Sequence, residues 1–270
     1  MISKLRHIAI ASEQHFLAGK FYELIFGLKS SGAGRGVNAA VLSDGYVGFN
    51  INGRRPGGIA RLDHFGFEVS DVEELFARVR ERYPSVHFLK RLSMRPFAGI
   101  TMHDPAGNYF DIAHAAKADR KDVYADESLA GAEYFGRFHH LQLRALDPVE
   151  LCQFYKDVFE LQELPRDPDD RNHYLSDGRM MLVIAPWHIE DYVGGNVELP
   201  ATDHLGFAVK SLDELQERLR QTVHRSPYLR PMELGGGDEE EARVRLLRTC
   251  RHGQYQLCDP EGVLLDVVEE

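Results

Sequence analysis

Nothing constrains the fold of this 270-residue chain more than its repetition of itself. Residues 62–69 read LDHFGFEV and residues 202–209 read TDHLGFAV, a displacement of 140. A displacement of 133 sets RHIAIA (6–11) on HHLQLR (139–144), Phe21-Tyr22 on Phe154-Tyr155, and Leu42-Ser43-Asp44-Gly45 on Leu175-Ser176-Asp177-Gly178. A displacement of 155 sets DPAGNYFD (104–111) on DPEGVLLD (259–266). Self-similarity at this spacing means one structural plan used twice. The growing displacement means insertions in the second copy. The largest falls around GGGDEEEAR (235–243), whose glycines and charges read as an exposed, solvated or lid-like loop.

Each half divides again. RHIAIA and LDHFGFEV alternate like short strands, and each precedes a helical pattern and then further strand-like segments such as NAAVLSDGYVGFNI and FAGITMHDPAGNYFDIA. The first helix is expected near 13–26 with Ser12 as N-cap, its Phe21-Tyr22 face packed on a sheet. Its counterpart has Asp147 as N-cap and Pro148 at the first helical position, where a missing N–H costs nothing. The helices after the octapeptides start at Ser70-Asp71 and Ser211. Gly45 and Gly178 serve turns that need positive φ. The chain therefore reads as α+β: four tandem strand–helix–strands modules, with an N-terminal domain at 1–115, a polar linker at 116–136 and a C-terminal domain at 137–270.

Charge narrows the function. Thirty-two Lys and Arg stand against 42 Asp and Glu, a formal net charge of −10, so the basic stripe that neutralises nucleic-acid phosphates is missing. The same balance suits an anionic membrane surface poorly, and no run of 18 apolar residues predicts a membrane span. MISKLRHIAIA does not read as a signal peptide. Three cysteines (Cys152, Cys250, Cys258) without Cys-x-x-Cys spacing fit a reducing cytoplasm. The expected partner is a small-molecule substrate, not nucleic acid or membrane; a homo-oligomer is compatible with all of this.

Strand parity then singles out residues. On the octapeptides, Phe65, Phe67 and Val69 oppose His64, Gly66 and Glu68, and Leu205, Phe207 and Val209 oppose His204, Gly206 and Ala208. On the opening strands Ile8 and Ile10 oppose His7, and Leu141 and Leu143 oppose His140. Asp111 and Asp266 each follow the glycine of an Asp-Pro-x-Gly turn by four residues and alternate with apolar neighbours. Each half thus offers two imidazoles and one carboxylate on the polar faces of three strands: His7, His64 and Asp111; His140, His204 and Asp266. Two histidines and one carboxylate leave three octahedral positions open, the set associated with non-haem Fe(II) and oxygen chemistry and also suited to Mn(II) or another divalent ion. A buried aspartate needs a partner, and an ion supplies one. The cysteine positions exclude a soft thiolate site.

These modules, strand-opening histidines and closing DPxGN-x-x-[E/D] motif resemble the vicinal oxygen chelate superfamily over nearly the whole chain. That superfamily includes glyoxalase I, fosfomycin thiol transferases, bleomycin-binding proteins, methylmalonyl-CoA epimerases and extradiol dioxygenases. The resemblance implies βαβββ modules paired into two domains whose mixed sheets curl around a cavity. Four modules in one chain is similar to the layout of type I extradiol ring-cleaving dioxygenases. Carried over residue by residue, their metal ligands match His140, His204 and Asp266, and His173 lies near their acid–base histidine. The chain departs from that pattern in three ways. Asp266 stands where those enzymes have glutamate. Gln256 takes the signature tyrosine's place, with Tyr255 one residue out of register, and His252 lies too close to the turn for the signature's histidine. The first half also keeps a trio, like that of the thiol transferases. The four-ligand glyoxalase I site finds only Asn50 as an oxygen side chain on the strands YVGFNI and RMMLVI. The function implied is a metal-dependent oxidoreductase, an extradiol-type dioxygenase acting on a small aromatic or enediol-like substrate. The alternatives are a metal-assisted lyase, isomerase or thiol transferase, and a non-catalytic small-molecule-binding protein.

Overall fold

The computed structural model describes residues 1–30, 39–54, 56–57, 60–92, 99–117, 134–192, 201–234, 238–249 and 252–270. The expected linker at 116–136 lies mostly outside them. The first module is β1 (Ser3–Ser12), α1 (His15–Phe26), β2 (Lys29–Ser30), β3 (Ala39–Ser43) and β4 (Gly48–Gly53). The second is β5 (Arg61–Val69), α2 (Val72–Arg82), β6 (Phe88–Lys90), β7 (Ile100–His103) and β8 (Tyr109–His114). The third is β9 (Gly136–Ala145), α3 (Pro148–Phe159), β10 (Gln162–Glu163), β11 (His173–Ser176) and β12 (Met181–Pro186), followed by the short α4 (Ile189–Tyr192). The fourth is β13 (Ala201–Val209), α5 (Leu212–Arg225), α6 (Asp238–Arg248), β14 (Tyr255–Cys258) and β15 (Leu264–Glu269).

The strands form two mixed sheets, β2-β3-β4-β1-β5-β8-β7-β6 and β10-β11-β12-β9-β13-β15-β14. At the centre of each, the two histidine strands run antiparallel, β1 with β5 and β9 with β13. The α+β class and the doubled module plan agree with the sequence. The helices start where their caps dictate: Asp71, Asp147 and Ser211 accept from the backbone N–H of Glu74, Glu150 and Glu214. Gly45 and Gly178 have φ of 88° and 94°.

Two expectations are corrected. Ser12 does not cap α1; it is the last, fully buried residue of β1, and Gln14 precedes the helix without a side-chain cap. The DEEEAR segment is not a loop but the start of α6, anchored by Leu246 and Leu247, which are buried against Cys258 and Leu264. Its charges belong to strong helix formers, and the apolar pair that docks it lies beyond the stretch that looked loop-like. Where the other modules have three strands after the helix, the described residues of the fourth have two, with α6 before them.

The halves share one core. Phe26 of α1 stacks on Phe207 of β13 with centroids 4.0 Å apart, and Phe159 of α3 stacks on Phe67 of β5 at 4.1 Å. The phenylalanine at the sixth position of each octapeptide, Phe67 or Phe207, therefore receives a helix residue from the opposite half. Polar links repeat the pattern. The Tyr22 hydroxyl donates to Asp259 at 3.2 Å and Tyr155 to Asp104 at 2.7 Å. The Leu5 N–H donates to Asp177 and the Phe138 N–H to Asp44, at 2.7 and 2.8 Å. Among the described residues, no helix is long and apolar enough to cross a membrane.

Candidate metal centre

The sheet register explains why the octapeptide is written twice. Gly206 of β13 is paired with His140 on β9 and with Asp266 on β15, and Gly66 of β5 with His7 on β1 and Asp111 on β8. In the second half a Cβ on residue 206 would fall 2.0 Å from His140 Nδ1, so the glycine is what lets the imidazole lie over the neighbouring strand. Histidine, glycine and aromatic residue thus supply a candidate ligand, the space beside it and the anchor beneath it.

The structure brings both trios together; within each, the ligand atoms lie within 4.8 Å of one another. In the C-terminal half, His140 Nε2 and His204 Nε2 are 3.3 Å apart and His140 Nε2 is 3.5 Å from Asp266 Oδ2. All three side chains are buried, His140 to 1% and His204 and Asp266 to 0% exposure. Among the described residues, neither oxygen of Asp266 has a hydrogen-bond donor. A buried carboxylate left in that state is costly unless a cation completes it. Two nitrogen donors and one oxygen donor, converging on one point, fit a divalent ion of the kind that takes mixed N/O ligation. Across from His140, β12 presents Met181 and Val183, so that strand adds no oxygen ligand.

The N-terminal trio has the same skeleton and different partners. His7 Nε2 and His64 Nε2 are 3.2 Å apart, and His64 Nε2 lies 3.7 Å from Asp111 Oδ2. Here, however, Thr101 and the Arg91 guanidinium both donate to Asp111 Oδ1, at 2.5 and 3.0 Å. Arg91 already provides the positive charge that Asp266 lacks. The site is also more open, with the His64 side chain 16% exposed. Burial still pushes the Asp111 carboxyl above its usual range.

A β-bulge at each octapeptide sets the orientation of its histidine. Register shifts by one residue between Thr202 and His204, and again between Leu62 and His64, leaving Asp203 and Asp63 as the extra residues. Each bulged aspartate turns to its own histidine's face. Asp203 Oδ1 approaches His204 Nδ1 to 2.5 Å, and Asp63 Oδ2 lies 2.7 Å from His64 Nδ1. A carboxylate on Nδ1 directs Nε2 at the trio, the arrangement that orients metal-ligating histidines. Burial alone would raise the Asp203 carboxyl, but the neighbouring His204 and Arg144 outweigh it and hold it at about 2. Strict alternation puts these aspartates on the opposite face, so parity overlooks them; the doubled Asp-His pair was the available signal.

His173 does not reach the C-terminal trio. It is paired with Ile184, on the face shared with Leu182 and the helices, whereas His140 is paired with Met181 on the other face. Its Nδ1 is 3.0 Å from Glu163 Oε1, in a group that includes Cys152. A thiol therefore does meet a histidine and a carboxylate here, although the cysteine spacing argued otherwise. Glu163 is already matched by Lys156 at 2.6 Å, which together with His173 lowers its carboxyl to about 2. Glu163 and burial push the Cys152 thiol up to about 11, burial contributing most, so it is held protonated.

Other side chains, unmarked by the repeat, surround the trio instead. The ring of His252 lies 6.1 Å from that of His140, 5.6 Å from that of His139 and 5.0 Å from that of Tyr174. His139 is the extra residue of a third bulge, between the pairs His140–Gly206 and Phe138–Phe207. Burial, reinforced by His140, pushes His139 down to about 3, and burial also lowers His252, so both rings are neutral near pH 7.

No protein-family model matches the chain, and no curated protein matches it in sequence. Its fold does have counterparts among solved structures. A halotolerant catechol dioxygenase is 12% identical, with 100% of this chain and 87% of that one covered at a TM-score of 0.63. A catechol 2,3-dioxygenase is 16% identical, covering 99% and 87% at 0.63. The Mn(II)-bound glyoxalase from Novosphingobium aromaticivorans is 15% identical, covering 98% and 83% at 0.61. The vicinal oxygen chelate resemblance therefore holds at the level of the fold.

Proposed function

We propose that this chain is a metal-dependent oxidoreductase that uses one divalent ion per chain, Fe(II) foremost, held in its C-terminal half by His140, His204 and Asp266. Its substrate is a small aromatic or enediol-like molecule, opened in the manner of an extradiol ring-cleaving dioxygenase. The observation that carries this reading is Asp266, fully buried beside two imidazoles with no hydrogen-bond donor on either oxygen among the described residues. The likeness in fold to catechol dioxygenases supports the reaction class. A bound ion would supply open positions for a chelating substrate together with redox access to O₂.

The protein's part is then positioning and proton handling. Asp203 orients His204, and Gly206 leaves the space that His140 fills. His252, neutral and beside His140, is the group placed to accept the substrate's hydroxyl proton at a ring nitrogen, the role expected of His173. The N-terminal trio, with Arg91 on Asp111, is read as a copy without an ion. A second reading, a Lewis-acid lyase or isomerase, is favoured by the Mn(II)-bound glyoxalase of the same fold.

The test is anaerobic Fe(II) reconstitution of the whole chain, elemental analysis, and oxygen uptake with catechols. About one iron per chain, lost in His204→Ala but kept in His64→Ala, together with catechol-dependent O₂ consumption, is the expected result. Turnover of a substrate without O₂ consumption would transfer the assignment to the second reading. In His252→Ala the iron content stays and kcat falls roughly 10²- to 10⁴-fold, the range for losing a general base.

A further inference from the structure

One buried cation belongs to neither the ligand set nor the core. Arg144, near the end of β9, is 1% exposed, and its guanidinium is shared among four elements, β12, β13, α4 and α6. Nε donates to Asp203 Oδ2 at 2.6 Å. Nη1 donates to the Pro186 carbonyl and to Asp191 of α4, both at 3.2 Å. Nη2 donates to the Leu246 carbonyl of α6 at 3.2 Å and to Thr249 Oγ1, just beyond that helix, at 2.6 Å. Asp203 is the bulged residue against His204 Nδ1. An unbroken series of short polar contacts therefore runs from a helix to a ligand histidine.

The chain's own duplicate shows what this series is for. At the positions of Gln142 and Arg144 the first half has Ala9 and Ala11. There Asp63 accepts from the Tyr109 hydroxyl instead, at 3.1 Å, and the half has no counterpart of α6 among its described residues. The arginine accompanies the inserted helix. Its planar fork suits this task, because rigid, diverging N–H donors can hold several acceptors at once where a lysine ammonium cannot span them.

We infer that Arg144 is a positioning residue that couples the docking of α6 to the binding of metal by His204, with Asp203 as the intermediary. This rests on the metal reading of the C-terminal trio. Linkage is reciprocal: an ion that fixes His204 also fixes Asp203 and Arg144 and so tightens α6, and loosening α6 weakens the ion by the same factor. The inserted helix is thus a cover whose order reports on the site, and any ligand that moves α6 alters metal affinity.

The experiment uses the full chain with Mn(II) as probe. Free Mn(II) is read by its electron paramagnetic resonance signal, and backbone hydrogen exchange is followed by mass spectrometry over residues 238–248. Two variants accompany wild type: Thr249→Val, which removes one acceptor at the far end of the series, and Arg144→Lys, which keeps the charge and loses the fork. Mn(II) is expected to slow exchange in α6 of wild type. Both variants should bind Mn(II) more weakly, by about 10-fold or more, as loss of outer-sphere partners typically does, and α6 should respond less. Mn(II) bound by wild type with unchanged α6 exchange, or bound equally tightly by both variants, overturns the coupling and leaves the metal site standing. Failure of wild type to bind Mn(II) or Fe(II) overturns the metal reading and the coupling with it.

Discussion

At the scale of single residues, the two halves part company over one carboxylate. Asp111 and Asp266 descend from the same motif, yet Asp111 accepts from Thr101 and Arg91 while Asp266 has no donor among the described residues. The position paired with the aspartate is Thr101 in one half and Gln256 in the other. The sequence shows both aspartates and both histidine pairs; it does not show that Arg91, twenty residues upstream, reaches one of them. Removing the uncompensated charge should help the metal-free protein, so Asp266→Asn is expected to raise its stability by on the order of 1–3 kcal/mol. Added metal should then raise the melting temperature of wild type and not that of the variant. A variant less stable than metal-free wild type would show that Asp266 is already satisfied.

At the scale of elements, bulges decide which side chains face the site. Alternation along β5 and β13 places His64 and His204 correctly, because both lie on the regular side of their bulges. It fails for Asp63, Asp203 and His139, because an extra residue reverses the parity. His173 is read not from alternation but from likeness to a neighbouring family position, and β11 pairing turns that side chain toward the helices. The close approach of β13 to β9 gives a sharp test. Gly206→Ala puts a methyl 2.0 Å from His140 Nδ1, so one imidazole must move. Metal affinity is expected to fall at least 10-fold, although no ligand is changed. Affinity equal to wild type would mean that the His140 ring has another place to go.

For the whole molecule, the consequence of duplication is a shared core in place of two separate ones. Phe26 on Phe207 and Phe159 on Phe67 bind each half's helix to the other half's sheet. Phe26→Ala should cost about 3–5 kcal/mol, and a single denaturant transition should persist, because neither half keeps its aromatic anchor alone. Two resolved transitions would show that the halves unfold independently. Burial of Asp259, at the interface between the halves, adds a pH dependence of opposite sign to that of most carboxylates. Burial raises Asp259 to about 6 from 3.8, so between these values the folded state binds the extra proton and stability falls as pH rises, by roughly 3 kcal/mol in all. Asp259→Asn removes that loss, so the variant gains on wild type from about pH 4 to about pH 6; a constant difference would exclude the linkage. By itself, the sequence determined the four-module plan, the α+β class and the helix starts at Asp71, Asp147 and Ser211, and it singled out the six candidate ligands, because local periodicity and repetition record what each segment does. Tertiary structure alone decided that α1 and α3 cross between halves, that Arg91 reaches Asp111, that Arg144 ties α6 to Asp203, and that His252 rather than His173 stands beside His140. These depend on contacts between distant segments, and on bulges that reverse a strand's facing, neither of which leaves a period in the chain.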